Sequence, residues 1–218
     1  MPDDLSDEIW DEYDWERFLQ QQERRTEKYM DLLEKYMDHP QRYEIVAREM
    51  GWTHLIGGDC REWEQEVDDG FETEPDDAGD ATSGDAPGVF GFEKHPLYGM
   101  ALAFATELEE IFDGLDEKAQ EHAASITLHS QTRLAAAKLA AALNDDDVDE
   151  LGMSIAYLKR ALRALTTALD AVAQLAGCGH IDAGGAELLR SRVFSIRDGI
   201  VSTMGEYRAE FRRRYSGR

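Results

Sequence analysis

The stretch VDELGMSIAYLKRALRALTTALDAVAQLA, residues 148–176, decides the fold. Within it Val148, Leu151, Ile155, Leu158, Leu162, Leu165, Leu169, Val172 and Ala176 recur at alternating spacings of three and four. That period keeps all nine on one side of a single long helix, since successive residues advance about 100° around its axis. Ser154, Ala161, Ala168 and Leu175 flank the seam on one edge, and Tyr157, Ala164 and Ala171 on the other. Lys159, Arg160, Arg163, Thr166, Thr167, Asp170 and Gln174 fall opposite and are expected to face water. Such a helix must bury its seam against other helices, which predicts an all-α protein.

Three more long helices are legible around this one. Pro96 suits a first-turn position, and Leu97, Ala101, Phe104, Leu108, Ile111 and Leu115 follow it at three-four spacing. A second helix is expected from Asp116 to about Leu143. It is alanine-rich on several faces, with Ile126, Leu128, Leu134, Leu139 and Leu143 as its larger residues, and so should be the most enclosed. The last should start near Asp182, with Ala186, Leu189, Val193, Ile196, Ile200, Met204, Tyr207 and Phe211 as its seam. Short connections between the four imply antiparallel neighbours, hence an up-down-up-down four-helix bundle over residues 89–218.

The chain before residue 89 reads differently. Ser6, followed by Asp7 and Glu8, is a helix-start signal, and neither Gly nor Pro interrupts the chain from there to about Met37. The apolar residues of that helix form two clusters, Ile9 to Leu19 and Tyr29 to Met37, separated by Gln20–Lys28, which is polar on every side. A helix polar all round has nothing to pack against there, so the two clusters should meet different surfaces. Tyr29, Leu32, Leu33 and Tyr36 are expected on this chain's own bundle, which leaves Ile9, Trp10, Tyr13 and Phe18 to contact another chain. Pro40 and Gly51 bracket a short helix, and another is expected from Cys60 to Val67. Residues 1–67 thus form a helical, aromatic-rich acidic arm. Residues 68–88 are an acidic Gly/Pro linker, with eight acids and no base from Asp68 to Asp85. Val89, Phe90 and Phe92 look like the anchor where the chain re-enters a core.

Charge is distributed as unevenly as aromaticity. Of the net −23, residues 1–90 carry −19 and residues 91–218 only −4. Such a surplus of acid repels phosphate and argues against a nucleic-acid partner. No apolar run approaches the ~18–20 residues of a membrane helix. The opening Met-Pro-Asp-Asp lacks the basic start of a signal peptide, and two cysteines 118 positions apart suggest no disulfide framework. These features predict a cytoplasmic protein without a membrane partner.

Four-helix bundles often hold two irons through Glu-x-x-His pairs, in which a spacing of three aims both ligands at the metal. The residues three before the six histidines are Tyr36, Gly51, Phe92, Ala119, Ile126 and Gly177, so that pattern is missing. Cys178-Gly179-His180 likewise lacks the first cysteine of a haem-attachment motif. His122 and His129 share a helix face, and Glu107 and Glu110 on the preceding helix could oppose them as ligands for zinc or another divalent metal. The leading expectation is nevertheless a non-enzymatic protein–protein interaction or scaffold module without a cofactor. Its partner would be another protein or a second copy of the chain. The competing reading is a bundle that binds a divalent metal or small ligand and works as an enzyme.

Overall fold

Asp11 sets the start of the first helix. Its Oδ1 accepts hydrogen bonds from the Tyr13 and Asp14 amides at 2.7 and 3.0 Å, while Asp14 Oδ2 accepts from the Asp11 amide at 3.1 Å. This reciprocal pairing satisfies the open donors of a helix N-terminus. Helix α1 therefore spans Glu12–Lys35, and Ile9–Asp11, expected within the helix, are not helical. The computed structural model describes residues 9–52, 91–144 and 150–215. Ser6 itself, the expected Cys60–Val67 helix, the acidic linker 68–88, the anchor residues Val89 and Phe90, and Val148 lie outside them.

Among the described residues every regular element is helical. Helix α2 covers Arg42–Met50, α3 Pro96–Asp113, α4 Glu117–Gln120, α5 Ala123–Ala142, α6 Leu151–Gly177 and α7 Ala183–Tyr215, with a 3₁₀ turn over Gly91–Lys94. The chain divides into two units, residues 1–16 together with 87–218, and residues 17–86. Helix α1 thus contributes its first residues, through Glu16, to one unit and the remainder to the other. No residue along it is fully buried.

In the larger unit α6 packs on α5 and α7, and α3 packs on the same two helices. Leu108, Leu139, Leu158, Val172, Leu175, Val193 and Ile200 are fully buried among them, around Phe104. Among the described residues of both units alanine supplies 14 of the 32 buried apolar residues, so neighbouring helices can approach closely. Of the expected seam of α7, Ala186, Leu189, Val193, Ile196, Ile200 and Met204 are buried, while Tyr207 and Phe211 near its end are half-buried.

Two details of helix orientation differ from expectation. In α6 the centre of the buried face is Ala161, Ala168 and Leu175, and Leu162 and Leu169 sit half-buried at its margin. The larger leucines marked the stripe in the sequence, but small residues let the neighbours come closest. The expected second helix is broken at Glu121–His122, where His122 Nδ1 caps α5 by accepting from the Ala124 amide at 3.2 Å. Ile126 and Leu134 are exposed, so α5 is less enclosed than expected and α6 is the most enclosed helix. With a weak apolar stripe, the alanine-rich sequence does not say which way α5 faces.

In the smaller unit, Gly51 closes α2 at φ 76°, which favours glycine. The Gly51 and Trp52 amides donate back to Arg48 and Ala47, and the Tyr29 ring packs against Trp52 at 5.4 Å. Lys28 adds a bond to the Glu49 carbonyl at 2.7 Å.

Candidate functional site

The side of α6 expected to face water is covered over its N-terminal half. Gly152, Ala156 and Arg160 stand four residues apart on one face, away from Leu158 and Leu165, and all three are buried. Gly152 has a specific reason to be glycine. A methyl group there would lie 2.5 Å from the Trp10 carbonyl oxygen, 2.9 Å from Trp15 Cδ1 and 3.0 Å from the Asp11 carbonyl carbon. The backbone just before α1 therefore presses directly onto α6.

Acid–base pairs complete the contact. Glu12 receives a forked bond from the Arg208 guanidinium, with Nε and Nη2 at 3.0 to 3.2 Å, and an ion pair from Lys159 at 3.2 Å. One turn along α1, Glu16 accepts from Arg160 Nε at 3.1 Å and lies 3.8 Å from Arg163. The side chains of Arg160 and Glu16 are only 7% and 16% exposed, so this pair is far better shielded from water than an ordinary surface bridge. Lys159 Nζ also lies 4.2 Å above the Tyr13 ring, a cation–π contact, and Trp10 meets Trp15 edge-on at 5.0 Å. The result is a cationic strip of Lys159, Arg160, Arg163 and Arg208 beside a glycine notch, filled by an acidic, aromatic segment. Partners 144 and 196 residues apart in sequence meet here.

The residues expected to contact another chain are split by this arrangement. Trp10 is part of the contact with α6, and Tyr13 borders it while remaining 64% exposed. Ile9 precedes the segment and is exposed, and Phe18, also exposed, belongs to the smaller unit. Arg160 was expected in water and is instead buried. There its guanidinium meets the Glu16 carboxylate of the N-terminal segment.

The four candidate metal ligands are not brought together. His122 is occupied as the cap of α5 and its ring lies 4.9 Å from that of His180. His129 packs edge-on against Phe112 at 5.6 Å, Glu107 pairs with Arg192 at 3.2 Å, and Glu110 is exposed. Among the described residues no group of three or more His, Cys, Asp or Glu side chains is placed to hold a metal. His129 does line an open groove of about 460 Å³ between α3 and α5, with Glu109, Phe112, Asp113, Gln120, Ser125, Ile126 and Arg133. There the Arg133 hydrogen bond and charge hold the Glu109 carboxyl below its ordinary pKa. At the far end of α7, Arg214 and then Arg213 do the same to Glu210.

The sequence carried one signal for the α6 site that periodicity alone missed. A glycine in the first turn of a long helix, needing no positive φ, indicates close approach by another backbone. No helix of the described residues is long and apolar enough to cross a membrane. No protein-family model, no curated protein and no solved structure matches the chain.

Proposed function

We propose that this chain is a non-enzymatic, cytoplasmic protein–protein interaction or scaffold module that recognises acidic, aromatic helical segments. Its scaffold is an up-down-up-down four-helix bundle of α3, α5, α6 and α7, preceded by a helical arm and the acidic linker 68–88. The packing of α6 and α3 each on α5 and α7 supports that arrangement. The observation that carries the function is the contact between Gly152 and the Trp10–Asp11 backbone, flanked by the Glu12 and Glu16 ion pairs. It has the parts of a peptide-recognition site: a notch for backbone, cations for acid, and an aromatic under a cation.

Quantitative affinity capture with the full chain tests this reading, run beside light scattering to detect self-association. Saturable binding of a defined protein, or of a second copy, is the expected result. A chain that stays monomeric and captures nothing at tens of micromolar overturns it.

A further inference from the structure

We infer that the cationic strip on α6 and α7 is an exchangeable receptor, and that its occupant in trans is the Trp10–Glu16 segment of a second copy of this chain. The inference rests on the interaction-module reading and names the partner within it. Three observations lead there. The contact sets Glu12 and Glu16 against four cations around one backbone notch, and it contains no fully buried residue of α1. The strip is cationic in a chain of net charge −23, so complementarity favours an acidic ligand, and residues 9–18, Ile-Trp-Asp-Glu-Tyr-Asp-Trp-Glu-Arg-Phe, supply one. The segment and the strip are joined only through 144 residues of chain, counted from Glu16 to Arg160. A second copy could therefore donate the same segment into the same contacts without any new complementary surface. Exchange of an identical element is a low-cost route to a dimer.

The chain's own segment competes with the incoming one. A tethered ligand acts at an effective concentration on the order of 1 mM, so a free segment at about 10 µM occupies only about a hundredth of wild-type receptors. Weakening the internal segment should open the site.

The probe is a fluorescein-labelled peptide of residues 9–18, read by anisotropy against three full-length proteins. These are the wild type, a Trp10→Ser/Glu12→Ser variant whose own segment is displaced, and that variant carrying Lys159→Glu and Arg208→Glu as well. Peptide should bind the displaced variant at least tenfold more tightly than the wild type, and the added receptor reversals should abolish that gain. In 0.5 M salt the binding should weaken, as charge-driven contact requires. Equal binding to all three proteins, or binding indifferent to the receptor reversals, overturns the inference. If the displaced variant loses its helical circular dichroism, the milder pair Glu12→Gln/Glu16→Gln takes its place with the same expectation. A displaced, folded variant that ignores the peptide while the wild type still captures a different protein refutes the second-copy partner and leaves the interaction module standing.

Discussion

Replacing Gly152 with alanine pits two opposite effects against each other within one residue. For α6 alone the change is favourable, because alanine is a better helix former than glycine by up to ~1 kcal/mol. For the docked segment it is not. The new methyl group would stand 2.5 Å from the Trp10 carbonyl oxygen, and ordinary contact begins at 3.4 Å, so the segment must retreat by about 0.9 Å. That retreat stretches pairs now at 3.0 to 3.2 Å toward 4 Å. The shielded Arg160–Glu16 bond is worth about 1.5–3 kcal/mol, and the more exposed pairs on Glu12 about 0.2–1 kcal/mol each after screening. Losing most of this releases the segment at a local cost of roughly 2–4 kcal/mol, while the melting temperature of the bundle holds or rises. Hydrogen exchange reads the two effects separately. The Tyr13, Asp14 and Trp15 amides, which bond to Asp11 in the docked segment, should lose between one and three orders of magnitude of protection, and the α6 amides should lose none. Unchanged protection of those three amides would refute the contact with Gly152. A bundle that melts along with them would refute the claim that the segment is separable.

Five other substitutions test the packing and the charge. Leu165→Ala should cost about 2–5 kcal/mol in chemical denaturation because Leu165 is fully enclosed. Half-buried Leu162 should cost clearly less, and exposed Thr167→Ala should stay within about 0.5 kcal/mol; equal costs at all three would refute the helix orientation. Ala168→Leu, at the centre of the α6 interface, should destabilise by about 1–3 kcal/mol through overpacking, and a stabilised variant would contradict the close helix approach. NMR titration should place the Glu210 midpoint below its ordinary value, with the stabilising effect present at neutral pH and lost as pH falls through that depressed midpoint. Arg214→Ala should move the midpoint up, and no movement would count against the ion pair.

The parts legible in the sequence were those written as periodic apolar residues. The register of α3 and α7 could be read because Leu97, Phe104, Leu108, Val193, Ile196 and Ile200 are large, and their burial dominates the orientation of their helices. Where alanine prevails, the pattern loses contrast. Ile126 and Leu134 stood out on α5 by size, yet closer packing on the Ala124, Leu128, Ala135 and Leu139 face left both in solvent. The site on α6 was hidden for a related reason. Lys159 and Arg160 look like a wet face until an acidic segment distant in sequence covers them. Pairing across 144 residues leaves no periodic trace. The four metal-ligand candidates were read from a shared helix face, but His122 lies before the first residue of α5 and His129 turns to Phe112.

The alanine-rich core also has a thermal consequence. A buried alanine gives up no side-chain freedom on folding, in contrast to leucine or methionine. It also removes little apolar surface from water, and such surface sets the heat capacity of unfolding at about 0.45 cal/K/mol per Å². With alanine supplying 14 of the 32 buried apolar residues among those described, unfolding should carry a small heat-capacity change for a chain of this size. The curve of stability against temperature is then a shallow dome. Compared with a leucine-filled bundle of the same maximum stability, this one stays folded over a wider span of both cold and heat.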